Sequence, residues 1–402
     1  MNVIIIGGGI AGPVTAMALQ RAGIQASVYE AHASPAESLG LFLGLGINGM
    51  RVLDDLDLLD AVLGADTIPT PAMEFSSASG KRLGRISNGW LNPAAPSITM
   101  MRGALQQVLA DEARKRGIAI HYQKRFVNHT SAGESIIAHF ADGGKAQGDL
   151  LVGADGIRSR VRAELDPTAP DPTYIGLLNL GGVAKATGLA PTAGTMHMIW
   201  GKQAFFGYTI RERGEAWWFA NLGQPRAPQR GELESVATTE WQRRLQNLFA
   251  ADPPLINTLV SHTDAIGAFP IYDMPALPRW HQGRVVLLGD AAHAVSPSAG
   301  QGASLAIEDA LMLAKCLRDI PRIGQALAWY ERLRRPRTER IVKDGRRRGT
   351  YKAPGNKVAL FLRDLLMPLA FRVFVTEKAL AWIYDYEIGW DTPLIKAPSV
   401  QP

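Results

Sequence analysis

Six residues near the amino terminus constrain this chain more than any others. Gly7-Gly8-Gly9-Ile10-Ala11-Gly12 follows the short β-branched run Asn2–Ile6 and precedes helical periodicity from Pro13 to Ala22. Gly23 reads as a helix stop and Gln25–Tyr29 as a second strand. Strand, glycine-rich turn, helix and strand together open a βαβ unit. In that setting Gly7 permits the tight turn and Gly9 lets a pyrophosphate approach the backbone. Gly12 lets the helix pack close to the sheet, and Ala11 lies in the same turn. The free N–H groups at the helix start would face the anion. Glu30 ends the second strand, where a carboxylate accepts hydrogen bonds from both ribose hydroxyls. The pattern predicts a dinucleotide site without choosing between FAD and NAD.

The rest of the chain is ordinary in composition. Its 402 residues suit two or three domains, or one large domain with insertions. Hydrophobic residues at 47% and charged residues at 20% exclude a disordered chain. The net charge of +6 is modest, and much of it is local: Arg332–Arg348 holds nine Arg or Lys against two acids. Basic residues gathered in one helix argue against a nucleic-acid partner, which calls for a basic face with interleaved aromatics. The single cysteine, Cys316, excludes an intramolecular disulfide and a cysteine metal cluster, and fits a reducing, cytoplasmic setting. The amino terminus has no basic leader region and does not read as a signal peptide. The apolar stretch Val358–Val375 is interrupted by Arg363, Asp364, Pro368 and Arg372. It predicts an amphipathic helix docked on the protein's own body and no transmembrane segment.

Further along, Arg102–Arg116 reads as an amphipathic helix. Ile118–Tyr122 and Ser135–Phe140 read as strands, the second followed by a turn at Ala141–Gly144. From Thr173 to about Pro270 aromatic and β-branched strands dominate: Gly194–Trp200, Phe205–Ile210 and Ala216–Asn221. That texture predicts an antiparallel sheet inserted between two α/β parts. Arg284–Leu288 reads as a buried strand, then a loop, then a helix over Gly302–Leu317. The remainder reads as mostly helical, with a break at Pro354-Gly355.

Two more segments stand out. One is Asp149-Leu150-Leu151-Val152-Gly153-Ala154-Asp155-Gly156, continuing to Ser159 and Arg162. The other is Gly289-Asp290-Ala291-Ala292-His293, continuing through Pro297 to Gly300-Gln301-Gly302. With the amino-terminal glycines, these resemble the three fingerprints of the group A flavoprotein monooxygenases, the fold family of para-hydroxybenzoate hydroxylase. The resemblance spans almost the whole chain, with all three fingerprints in family order.

The resemblance implies an α/β fold: a Rossmann-like FAD-binding domain, an inserted antiparallel-sheet substrate domain and a C-terminal helical region. The corresponding divisions are residues 1–72, 97–172 and 266–330 for FAD, 73–96 and 173–265 for substrate, and 331–402 for the helical region. It implies that Asp290 holds the ribityl chain and that Pro297, Gly300 and Gly302 start a helix facing the flavin pyrimidine edge. Positive potential there would stabilise reduced, anionic flavin. Asp155 and Gly156 match the segment that serves both FAD and NAD(P)H. Arg162 either shares that role or pairs structurally with a carboxylate. Arg102 matches an arginine that contacts the flavin, and a cation at a helix start favours a ligand role. His293 is structural by resemblance. Three departures stand out: Ala36 and Ser38 replace arginines ahead of Gly40, so flavin contacts there fall to the backbone or to Leu41–Leu43, and Ser304 replaces an asparagine.

The implied activity is an FAD-dependent monooxygenase consuming NADH or NADPH and O2, acting on a flat, electron-rich aromatic small molecule through a flavin C4a-hydroperoxide. An antibiotic-inactivating monooxygenase and an epoxidase share the fold. The rival from another class is a membrane- or polyanion-associated protein using the basic Arg332–Arg348 segment. The inserted sheet carries Trp200, Phe205, Phe206, Tyr208, Trp217, Trp218 and Phe219, a wall suited to a flat substrate. Phe206 and Tyr208 share one face and Phe205 the other. Alternation alone does not say which face is the pocket. His197 and Arg211 are the nearest polar candidates for anchoring a substrate.

Overall fold

The computed structural model describes residues 1–34, 41–87, 96–350, 364–371 and 376–394. One layer is a six-stranded sheet, in the order His281–Gln282, Val285–Leu287, Leu150–Gly153, Asn2–Ile6, Gln25–Tyr29, Ile120–His121. The central strand Asn2–Ile6 pairs in parallel with Gln25–Tyr29 and with Leu150–Gly153, which in turn pairs in parallel with Val285–Leu287. Asn2–Ile6, Leu150–Gly153 and Val285–Leu287 are nearly continuous apolar runs, as in a sheet buried on both sides, whereas Gln25–Tyr29 carries Gln25 and Ser27 and buries only Val28. Helices Ala11–Arg21 and Gly302–Asp319 pack on each other within that core. A small sheet of Phe42–Leu45, Ile98–Met101 and Thr67–Pro69 leads the chain toward the second layer.

The second layer is a seven-stranded sheet: Thr263–Asp273, Thr173–Ala184, Ala216–Gly223, Phe205–Ile210, Thr195–Trp200, Ala72–Ser77, Arg82–Ser87. Two details differ from the expectation. Thr195–Trp200 and Ala72–Ser77 pair in parallel, so the sheet is mixed. The long excursion between those strands leaves room for a parallel crossover. The division expected between residues 265 and 266 falls inside the strand Thr263–Asp273, which pairs along Thr173–Ala184. Pro270 disguises that strand, but it lies at the sheet edge, where a missing N–H is tolerated. Helices Thr238–Leu248 and Leu255–Ser261 cover one face, burying Leu178, Leu180, Phe206, Tyr208 and Trp218.

At the carboxyl end, helix Ile323–Thr350 is followed by helical residues 364–371 and helix Glu377–Tyr384. The break expected at Pro354-Gly355, like most of Val358–Val375 and the departures at Ala36 and Ser38, lies outside the described residues. Within 364–371, Phe371 docks against Phe75 at 5.0 Å between centroids. No helix among the described residues is long and apolar enough to cross a membrane.

The arginines of Arg332–Arg348 are largely engaged within the molecule. Arg334 is fully buried against Glu308 and Asp309, each at 2.7 Å. Arg337 pairs with Glu308 and donates to the Trp382 and Ile383 carbonyls at 2.6 and 2.7 Å. Arg335 bridges Glu331 and Glu339, Arg340 lies 3.8 Å over the Trp382 ring, and Arg346 grips Asp273 with two nitrogens. The basic run is thus a clamp between the carboxyl-terminal segment and the two sheets, which a polyanion would have to displace.

Candidate functional site

Segments far apart in the chain meet at the carboxyl edge of the parallel sheet, where ligands bind in α/β folds. Gly7 adopts φ +110° and lies against the Ala154–Asp155 backbone, while a Cβ on Gly12 would overlap the Gly7 carbonyl. Gly289 adopts φ +58° and packs against Ala11 and Ala306. Both turns need glycine, for backbone conformation and for close approach. Gly46, just after Phe42–Leu45, lies against Gln301 and Tyr384, and its N–H donates to Ser304 Oγ at 3.1 Å. Gln106, on the helix Arg102–Lys115, donates to the Gly8 carbonyl at 3.3 Å. The glycine turn, Asp290, the strand bearing Leu43 and the turn Pro297–Gly302 therefore surround one space.

That space fits an extended dinucleotide. A Cβ on Gly9 would meet nothing within 4 Å, which leaves the room a pyrophosphate needs. Helices Ala11–Arg21 and Gly302–Asp319 both begin without a side-chain cap and without an acid in the first turn. Their leading N–H groups and positive ends remain available for acceptor-rich ligand groups. Glu30 is buried, with Oε2 accepting the Gly8 N–H at 2.6 Å and Oε1 the His32 N–H at 2.8 Å. A carboxylate has further acceptor positions, so it can still take ribose hydroxyls. Asp290 is half-buried at the start of helix Asp290–His293, and Arg102, Pro297 and Gly300 are exposed at the rim.

Other expected residues also hold the surrounding backbone. Asp155 accepts from Ser159 Oγ at 2.5 Å and from the Arg160 and Val161 N–H groups at 2.7 and 3.1 Å. Its carboxylate fastens the start of helix Arg160–Leu165, and burial pushes its pKa up against those bonds. Arg162 is buried and donates to the Ala291 and Ile157 carbonyls at 3.0 and 2.8 Å. The partners it has here are carbonyls, where the structural reading expected a carboxylate. His293 sits 2.5 Å from Asp309, whose Oδ2 also accepts the Gly289 N–H at 2.9 Å. Burial acts to raise the Asp309 carboxyl, but His293 and Arg334 outweigh it and hold its pKa at about 2.

The seven-stranded sheet roofs this assembly with one face. Gly181 packs against Leu41, and Phe42 lies 5.9 Å from both Trp217 and Phe219. The inward face is therefore that of Phe205, Trp217 and Phe219. His197 belongs to the opposite face, stacked on Tyr208 at 5.0 Å, and burial lowers its pKa. It does not join the other site residues. Arg211 is on the inward side but past the strand end. It lies 5.1 Å over the Trp217 ring and is held by both oxygens of Asp66.

Residues 1–344 match the family described as FAD binding domain. The aurachin C monooxygenase/isomerase of Stigmatella aurantiaca is 34% identical over 373 residues, covering 91% of this chain and 94% of that protein. The chain belongs to the group A FAD-dependent monooxygenases. The 6-hydroxynicotinate 3-monooxygenase of Pseudomonas fluorescens is 27% identical, covering 85% of this chain and 89% of that enzyme. Among solved structures, Klebsiella pneumoniae HpxO complexed with FAD and uric acid superposes with a TM-score of 0.81 at 25% identity, covering 93% of this chain and 94% of that one.

Within this monooxygenase, several positions escaped the sequence reading. Asn48 donates to Gln301 Oε1 at 2.9 Å and Glu308 Oε1 at 2.6 Å, tying the segment after Gly46 to the helix Gly302–Asp319. Ser304 packs so close to Gly49 that a Cβ on Gly49 would overlap its side chain. The Glu308-Asp309 pair interrupts an apolar helix run, and two adjacent acids in such a run were the available signal. Asn48 and Gln106 carried no comparable signal.

Proposed function

We propose that this monooxygenase consumes NADH or NADPH and O2 to hydroxylate a flat aromatic or heteroaromatic small molecule. One observation carries the reading: an aromatic sheet face packs on Leu41 and Phe42, whose strand leads through Gly46 to the start of helix Gly302–Asp319 beside the glycine turn and Asp290. Relatives that act on 6-hydroxynicotinate and urate support the substrate class. The bound flavin supplies the electron transfer and oxygen activation.

The chain's own residues bind, orient and exclude water. The glycine turn at Gly7–Gly12 receives the pyrophosphate on backbone N–H groups, with Glu30 on the ribose. Asp290 holds the ribityl chain, fixed by the Asp309 bond to the preceding Gly289 N–H. Leu43, on the strand that feeds Gly46, and Arg102, at the start of helix Arg102–Lys115, would approach the flavin from the neighbouring small sheet. The uncapped start of helix Gly302–Asp319 places positive potential at the pyrimidine edge, favouring an anionic reduced ring. Phe205, Trp217 and Phe219 cover the reacting ring and keep water out.

The test is an absorbance spectrum of purified protein, then oxidation of NADH and NADPH with a panel of flat phenols and hydroxy-azines. Flavin bands near ~370 and ~450 nm, with oxidation accelerated by one chemical class, are expected. A colourless protein that FAD fails to reconstitute, or oxidation indifferent to every ring offered, overturns the reading.

A further inference from the structure

The inward sheet face carries one polar feature among its rings. Asn179 and Asn221 are register partners on neighbouring strands, and Asn221 Nδ2 donates to Asn179 Oδ1 at 2.8 Å. Their flanking partners in the same row are Phe269 beside Asn179 and Phe205 beside Asn221. Two residues on along the strands come Gly181 and Phe219, which meet Leu41 and Phe42. Two residues back comes Leu177, which shares the Gly349 neighbourhood with Ser298 of the turn Pro297–Ala299. The amide pair thus lies between the two segments that flank the cofactor space.

Placing amides on an apolar face costs free energy unless their hydrogen bonds are made. Asn221 is almost fully buried and Asn179 half-buried. The shared bond uses one Asn179 oxygen position. Among the described residues the Asn179 NH2 has no partner, and Asn179 Oδ1 keeps a second lone pair. A donor and an acceptor are therefore presented side by side. Among the described residues these sheet rows carry no charge: they hold Phe269, Phe205, Trp200, Phe219, Met198 and glycines. Arg211 lies beyond the strand end with its charge met by Asp66.

We infer that the Asn179–Asn221 pair reads the substrate, and that it selects a neutral planar ring with a hydrogen-bond donor and acceptor on adjacent atoms, as in a lactam or a hydroxy-azine. The assignment rests on the proposed function, which makes this face the substrate wall. A carboxylate-bearing ring finds no partner cation among the described residues of these sheet rows. A carbocyclic ring of the same shape leaves the Asn179 NH2 and its second oxygen position unmet, and sites built to hydrogen-bond discriminate strongly against such analogues.

The experiment uses the FAD-loaded protein and three probes of matched shape: 2-quinolone, naphthalene and 2-naphthoate. Binding is read from perturbation of flavin absorbance and fluorescence, without turnover. Wild type is expected to bind 2-quinolone at least about tenfold tighter than either other probe, as one good hydrogen bond supplies. Asn179→Leu is expected to abolish that preference by weakening the lactam alone, and Asn179→Ala to do the same with less apolar gain. Retained flavin spectrum and melting temperature show that each variant is folded. If flavin is absent from wild type, the proposed function falls and takes this assignment with it. If flavin is bound but 2-quinolone binds equally to wild type and both variants, binds no tighter than 2-naphthoate, or shows no binding, the assignment alone falls.

Discussion

The two faces of the seven-stranded sheet are built from the same strands and are both rich in aromatics, yet they do opposite things. On the outward face Phe206 stacks on Trp218 at 5.4 Å, and Phe249 and Trp241 from the covering helices close over them. On the inward face Phe205, Trp217 and Phe219 meet Leu41 and Phe42, with the cofactor-binding segments beyond. An aromatic stripe therefore does not mark a pocket. What covers the stripe decides, and cover is a property of distant segments. The outward face has two helices supplied by its own domain, whereas among the described residues the inward face meets Leu41 and Phe42 and, at Phe75 and Trp200, Phe371 of the carboxyl-terminal segment.

The largest expected difference between the faces comes from truncating neighbouring residues of one strand. Trp218 is fully buried, and its ring N–H donates to Thr263 Oγ1 at 2.8 Å. Trp218→Ala is expected to cost about 3–5 kcal/mol, seen as a large fall in melting temperature and poor recovery of protein. Phe219→Ala removes a half-buried ring, so the stability loss should stay near ~1–2 kcal/mol, while the apparent substrate affinity drops at least about tenfold. A Trp218→Ala variant that melts normally but binds substrate poorly would reverse the assignment of the faces.

A second variant separates the cofactor floor from the aromatic roof. The Asp309 carboxyl is held at about 2, below its ordinary value, so its contribution to stability is complete above the ordinary carboxylate range. It is lost as pH falls through the interval between that range and about 2. Asp309→Asn should therefore lower stability at neutral pH by ~2 kcal/mol and flatten the acid limb of the unfolding curve. Because Asp309 also holds the Gly289 N–H, FAD should dissociate more readily, with substrate preference unchanged. Unchanged FAD affinity would leave Asp309 as a purely structural buried charge.

These two regions were also unequally legible in the sequence. The cofactor edge is made by local turns, and Gly7–Gly12, Gly289-Asp290 and Gly300–Gly302 announce themselves because a turn beside a helix start needs particular residues at fixed offsets. Strand limits such as Phe205–Ile210 followed from alternation and matched as read. Which face of the seven-stranded sheet turns inward did not, because Leu41 and Phe42 on one side and the helices Thr238–Leu248 and Leu255–Ser261 on the other are brought to the sheet only by the fold. The same holds for Arg334, Arg337 and Arg346. As letters they form a basic run, and only tertiary contact shows their charges met by Glu308, Asp309 and Asp273. Asp155 was named from a family fingerprint for the cofactor, and its bonds to the start of the next helix are a part of its role that the fingerprint did not show.

The smallest expected effect tests the outward face from its polar side. His197 stacks on Tyr208 and lies 3.9 Å from Glu74, which pairs with Arg82 at 3.2 Å. Burial lowers the His197 pKa more than Glu74 raises it, so the ring is neutral at neutral pH and forms no strong ion pair. Its body contributes partly buried contact area, which His197→Ala should remove at a cost near ~1 kcal/mol. Turnover should stay within about twofold, since no group on that face reaches the reacting ring. The pH–rate profile should likewise keep its shape, because a group that is neutral throughout the working range has no titration to remove. A His197→Ala variant with intact melting temperature, collapsed turnover and a lost ionisation in the pH–rate profile would place catalysis on the outward face, and the separation between the two faces would fail at its most exposed point.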